Sequence, residues 1–174
     1  HPRSGWCLTV ADLRAGLIGL GMMGRHHARV LGSLPGVELV AVADPGGDVH
    51  GAAAGRPVHE DIHQLIAAGI DYCMVAVPTA YHEEVGLALA EAGVHAIIEK
   101  PLAPDTPAAE KLANAFATRG LVGAVGHIER YNPAFEELLS RPFRPRYLTA
   151  ERCGPFTGRS TDVGVVLDLM IHDI

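Results

Sequence analysis

Short runs of Val, Ile, Leu and Ala alternate with helical periods along most of this chain, and that alternation restricts the fold more than any other feature. The runs are "AGLIGL", "VELVAVAD", "DYCMVAVP", "HAIIEKP" and "LVGAVGH"; between them stand "GRHHARVLGSL", "EDIHQLIAAG", "TAYHEEVGLALAEAG" and "TPAAEKLANAFATRG". Short, continuous apolar runs read as strands buried on both faces, and neighbouring parallel strands need a helical crossover between them. The expected fold is α/β, a doubly wound parallel (Rossmann) sheet with helices on both faces and right-handed crossovers. Thr79 is the expected N-cap of the third helix, and Gly69 and Gly93 are the expected stops of the second and third. Glu60 and Asp61 read as first-turn acids that complement the dipole of the second helix.

Near Arg141 the texture changes. "RPFRPRYLTAERCGPFTGRST" is rich in Arg and Pro; within it "RYLTAERC" alternates like an antiparallel strand, and "DVGVVLDLMIHDI" after it is helical. Three parts are therefore expected: a mobile leader over 1–13, a dinucleotide-binding Rossmann domain over 14–140, and the incomplete start of a second α/β domain over 141–174. With hydrophobic residues at 48% and charged residues at 20% of its 174 residues, the chain has apolar surface enough for a packed core, unlike a disordered segment. The net charge of −6 weighs against a nucleic acid or an anionic membrane as partner. No apolar run approaches the roughly 18 residues of a spanning helix, and no signal peptide is recognisable. Cys7, Cys73 and Cys153 are odd in number and form no C-x-x-C pair, as expected of reduced thiols in a cytoplasm.

Chemistry enters with "GLGMMG", which places Gly19, Gly21 and Gly24 around Met22 and Met23. A lone G-x-G-x-x-G is weak, since turn chemistry alone can produce it. Here a strand precedes it, a helix follows, and the next strand ends in Asp44. In that setting the first glycine permits a tight turn, the second lets backbone approach a pyrophosphate, and the third allows helix and strand to pack closely. Asp44 stands where a carboxylate accepts the hydroxyls of the adenosine ribose. Its charge repels a 2′-phosphate, and Pro45, Gly46 and Gly47 supply no arginine, so the expected cofactor is NAD rather than NADP. A simple turn ahead of Pro-Gly is the plainer role for Asp44. "HEDIH" matches the H-E-x-x-H zinc pattern, but the apolar period Ile62, Leu65, Ile66 starts the helix too late for His59 to share a face with His63. No metal site is expected.

Ligands of an open parallel sheet bind at the carboxyl ends of its strands. Three such ends carry functional groups: "VPTAYH" from Val77, "EKP" from Glu99, and "GHIERYNP" from Gly126. Lys100, at a strand end and followed by proline, is held in one direction near the nicotinamide position; a solvated lysine before a turn is the ordinary alternative. In the closing helix Asp168 and His172 lie four residues apart, so about 40° separates them on one face. That spacing suits two groups sharing one small target, and equally a helix-surface contact.

Together, "GLIGLGMMGRHHARVL", "VAVPTAYHEEVGLALAEAGVHAIIEKPLA" and "DVGVVLDLMIHDI" resemble the glucose–fructose oxidoreductase / inositol dehydrogenase / rhizopine-catabolism (Gfo/Idh/MocA) family. The resemblance implies an N-terminal NAD-binding domain, a C-terminal α/β domain on a large open sheet, and oxidation of a sugar or cyclitol hydroxyl by hydride transfer to nicotinamide. It puts Lys100, Asp168 and His172 on catalytic positions: His172 as general base, Lys100 stabilising the alkoxide, and Asp168 orienting the substrate or the histidine. The implied cofactor seat comprises Gly19, Gly21, Met22, Met23, Gly24, Asp44, Val77, Pro78, Thr79, His82, Glu99 and Lys100. For His82 a helix-packing role is the alternative; of the first helix's histidines, His27 is expected against the sheet and His26 in solvent. Tyr131, Asn132 and Arg159 resemble the branch that oxidises nucleotide-linked amino sugars such as UDP-N-acetylglucosamine at C3. The implied partners are a sugar or nucleotide-sugar substrate and, in a full-length protein, further copies of itself. Two other functions remain open at this point: a nicotinamide-binding regulator without turnover, and a cofactor-binding fragment without activity.

Overall fold

The computed structural model describes residues 13–142, together with 144, 146, 147, 149, 151, 164, 166 and 170–172. Six strands form one sheet: β1 (Leu13–Ile18), β2 (Val37–Ala43), β3 (Val58–His59), β4 (Tyr72–Val75), β5 (His95–Ile98) and β6 (Gly123–Val125). Their order is β3-β2-β1-β4-β5-β6, and every neighbouring pair is parallel. The chain builds outward from β1 to β3, then returns to the other side of β1 with β4. The reversal opens a crevice beyond the carboxyl ends of β1 and β4, the usual ligand position in such sheets.

Side-chain alternation sorts the core onto two faces. Ala15 and Leu17 of β1 pack with Ala28 and Leu31 of α1 (Met22–Leu31), whereas Ile18 joins the opposite face. There Leu65 of α2 (Ile62–Ala67), Val85 and Leu89 of α3 (His82–Glu91), and Leu112 and Phe116 of α4 (Thr106–Ala117) cover Cys73, Val75 and Ile98. Fully burying one such aliphatic side chain contributes about 1.5–3 kcal/mol. A further helix, α5 (Pro133–Ser140), buries none of its residues among those described.

Several helix ends differ from expectation. Thr79 does not cap α3; it starts a 3₁₀ turn, Thr79–Tyr81, which occupies the entry to the helix and leaves Tyr81 at the cap position without a side-chain bond. Asp61 lies before α2 rather than in its first turn, and its carboxylate accepts the Gln64 N–H at 2.9 Å. Gly69 and Gly93 do end their helices, with φ of 76° and 75°. Arg14 completes the end of α2 by donating to the carbonyls of Gly69 (2.6 Å) and Ala68 (3.0 Å). The region 141–174 lies largely outside the described residues, as do residues 1–12 of the expected leader over 1–13, so neither the antiparallel strand nor the closing helix is described. Met170–His172 form a 3₁₀ turn.

Candidate dinucleotide site and catalytic rim

β1 ends at Ile18 and turns sharply at Gly19, whose φ of 91° belongs to the region that side chains avoid. A Cβ there would also lie 2.5 Å from the carbonyl oxygen of Ala76, beyond the end of β4. Gly24, in the first turns of α1, packs so closely on the loop that a Cβ would fall 1.7 Å from the Gly19 oxygen. Gly21 is different. A Cβ on it would meet nothing within 4 Å, so no part of the described protein requires a glycine there. It is also the N-cap of α1, without a side-chain cap and without an acidic residue in the following turn. The first N–H groups of α1 thus face an open approach, which suits a pyrophosphate. Met22 and Met23 sit exposed at the helix start.

Asp44 stands just past β2 and does two structural tasks. One carboxylate oxygen accepts the Leu20 N–H and the other the Gly46 N–H, both at 2.7 Å. The carboxylate therefore ties the glycine loop to the end of β2, and each oxygen keeps a lone pair for a ribose hydroxyl. Turn former and ribose acceptor are compatible in one side chain.

Along the same rim, β4 leads through Val77 and Pro78 into the buried Thr79. His82, the first residue of α3, is 1% exposed, with both ring nitrogens at backbone carbonyls: Nε2 at 3.0 Å from Val77 O and Nδ1 at 2.9 Å from Pro101 O. Carbonyls only accept, so a neutral ring donates to one and a cationic ring to both. His82 thereby clasps the segment after β4 to the segment after β5. This is a packing and bridging role at the rim.

Glu99 and Lys100 follow β5 directly. Glu99 is buried; its Oε1 lies 2.7 Å from His27 Nε2, and its Oε2 accepts the Lys100 N–H at 3.2 Å. The Lys100–Pro101 bond is cis. His27 is half-buried on the sheet side of α1 and His26 is exposed, in the arrangement expected from the helical period. The hydrogen bond between His27 and Glu99 was not foreseeable from local pattern, because 72 residues separate the partners.

At the end of β6 the chain enters a 3₁₀ turn, Ile128–Tyr131, and then α5. Tyr131 is exposed, and Asn132 caps α5 by accepting the Ala134 N–H at 3.0 Å while donating to Glu129 at 2.9 Å. Arg159 and Asp168 lie outside the described residues, and of His172 only the backbone turn is described. In the zinc-like segment His59 closes β3 and His63 belongs to α2, so the two imidazoles occupy different elements. Burial pushes the thiol of Cys73 well above its ordinary range, which makes it a packing group rather than a nucleophile.

Sheet order, glycine turn, open helix terminus and strand-end carboxylate define a dinucleotide-binding domain. Residues 13–127 match the model of the "oxidoreductase family, NAD-binding Rossmann fold", and the chain belongs to that Gfo/Idh/MocA family. It is 38% identical over 166 residues to UDP-N-acetylglucosamine 3-dehydrogenase of Acidithiobacillus ferrooxidans, covering 93% of this chain and 52% of that protein. A solved structure of the same-named enzyme superposes with a TM-score of 0.84 at 39% identity, covering 92% of this chain and 54% of that one. Inositol 2-dehydrogenase 4 of Saccharopolyspora erythraea is 38% identical over 135 residues, covering 73% of this chain and 40% of that protein. The chain thus spans about half the length of the curated relatives it matches. Among the described residues, no helix is long and apolar enough to cross a membrane.

Proposed function

We propose that this chain is the cofactor-binding part of an NAD-dependent dehydrogenase that oxidises a secondary hydroxyl of a sugar or nucleotide sugar, with UDP-N-acetylglucosamine at C3 as the first candidate. One observation carries the reading: Lys100, whose backbone N–H donates to the buried Glu99 carboxylate, follows β5 on the same sheet rim that holds the glycine turn and Asp44. NAD, when bound, accepts the hydride. Asp44 would hold the adenosine ribose and repel a 2′-phosphate, and the α1 terminus would hold the pyrophosphate. Lys100 stabilises the negative charge that grows on the substrate oxygen as its proton leaves. His172 takes that proton as general base, and Asp168 orients the substrate or the imidazole. Tyr131, Asn132 and Arg159 belong to the nucleotide-sugar end, where an arginine matches a diphosphate in charge and geometry. The proposed setting is the cytoplasm, with the full-length protein a homo-oligomer.

The nucleotide-sugar substrate is favoured over a cyclitol because the UDP-sugar relative is 38% identical over 93% of this chain, whereas the scyllo-inositol 2-dehydrogenase of Bacillus subtilis, over the same 93%, is 27% identical. The test is NADH formation by the polypeptide that carries this chain, screened with UDP-amino sugars, cyclitols and free hexoses, each with NAD and with NADP. Turnover of UDP-N-acetylglucosamine with NAD is expected. Turnover of inositol alone overturns the substrate, a preference for NADP overturns the role of Asp44, and NAD binding without turnover of any of them leaves the regulator.

A further inference from the structure

Among the described residues Glu99 is the one buried carboxylate, and it stands beside the lysine that the proposed chemistry needs. A carboxylate is held out of water only where partners compensate for its lost hydration. It has two polar partners and one open flank. Ile98 faces α3 and α4, where its side chain closes on Gly86, so Glu99 turns to the α1 side of the sheet. There His27 meets Oε1 at 2.7 Å, the two side chains being 17% and 10% exposed. Oε2 receives the Lys100 N–H at 3.2 Å. Gly126, just beyond β6, leaves the space: a Cβ there would lie 3.2 Å from the carboxyl carbon and 3.3 Å from each oxygen.

These contacts join two halves of the domain that are far apart in sequence. α1 carries the terminus that receives the pyrophosphate, and Lys100 stands two residues beyond the end of β5. We propose that His27 is a positioning residue: through Glu99 it registers the strand end that carries Lys100 against the helix that seats the cofactor. The proposal rests on the catalytic reading of Lys100. His27 touches neither cofactor nor substrate in this role; it holds the carboxylate that fixes the Lys100 backbone. Small displacements of a reacting group are costly, so the pair acts on turnover before it acts on binding.

The experiment compares His27→Ala, His27→Gln, Lys100→Ala and the exposed neighbour His26→Ala in the polypeptide that carries this chain, using the best substrate from the screen above. For His27→Ala, kcat is expected to fall by at least about tenfold while the Kd for NAD stays within roughly threefold and melting remains cooperative. Hydrogen exchange at the Lys100 N–H should accelerate by about tenfold or more, because its acceptor is released. His27→Gln, whose amide can reach the same carboxylate, should recover most of kcat, and His26→Ala should match the parent. Wild-type turnover in His27→Ala beside an inactive Lys100→Ala overturns the proposal and leaves the dehydrogenase reading standing. Loss of turnover in step with NAD affinity or folded fraction, or a Gln variant no better than Ala, also overturns it. Full activity in Lys100→Ala removes the catalytic reading and this proposal with it. Should His27→Ala not fold, His27→Asn, with an amide too short for Oε1, is judged by the same criteria.

Discussion

The three glycines of the loop differ in what a single methyl group would strike. At Gly24 it would strike the protein: the added carbon would sit 1.7 Å from the Gly19 oxygen, and α1 would have to withdraw from β1. At Gly21 it would strike nothing in the described structure, and the φ of −68° suits any residue. The two substitutions therefore separate folding from binding. Gly24→Ala is expected to cost about 1–3 kcal/mol in stability and to weaken NAD binding along with it. Gly21→Ala should leave stability within about 0.5 kcal/mol of the parent, yet lower NAD affinity by about tenfold or more because the methyl group occupies the approach of the pyrophosphate. Urea melts and calorimetric titration with NAD measure both quantities on the same samples. If Gly21→Ala binds NAD as the parent does, the open face above Gly21 is not the pyrophosphate seat.

At the scale of elements, legibility followed how local the physics is. Strands buried on both faces write themselves as apolar runs, so β1, β2, β4, β5 and β6 could be read directly; β3 has two residues and no pattern to read. The glycine loop, Asp44 and Glu99-Lys100-Pro101 were legible because each is a contiguous segment at a strand end. The His27–Glu99 and His82–Pro101 contacts were not, because only the closed sheet brings those segments together. Helix starts failed for a subtler reason. Thr79 has the side chain of a cap, but Pro78 leads into a 3₁₀ turn that takes up the position, whereas the acids Asp61 and Asp105 stand one residue before their helices. Asp105 accepts the Ala108 N–H at 2.9 Å, as Asp61 does that of Gln64. Asp61→Ala and Asp105→Ala should each lower stability by about 1 kcal/mol, or about 2–4 °C in Tm, and leave NAD affinity unchanged. A Tm unmoved by Asp105→Ala would mean that the N-terminus of α4 draws nothing from its cap.

At the scale of the whole molecule, the buried apolar residues among those described run from Ala15 to Phe116, and the strands β1, β2 and β4 each carry residues with no exposure. Cys73 sits in β4 at the middle of that core, with no measurable exposure, and its thiol donates a long bond of 3.6 Å to the Met74 oxygen. Burial raises its folded-state pKa because a thiolate there would lose hydration without a cationic partner. The consequence reaches global stability through proton linkage. Below about pH 8.5 the thiol is protonated in both states, and its contribution is fully present. Above that pH the unfolded chain gives up the proton while the folded chain keeps it, so the unfolded state binds fewer protons and stability falls with rising pH. The slope approaches about 1.4 kcal/mol per pH unit until the folded thiol itself ionises. Tyr72, also raised by burial, begins to add a loss only near its own ordinary value of 10.0. Urea unfolding between pH 8 and about 9.5 should therefore show declining stability that is largely abolished in Cys73→Ala, whatever that substitution does to stability at neutral pH. An equal decline in the variant would place the titrating group elsewhere. Over the same range the folded protein should leave Cys73 unmodified by iodoacetamide, with alkylation at this position tracking the unfolded fraction.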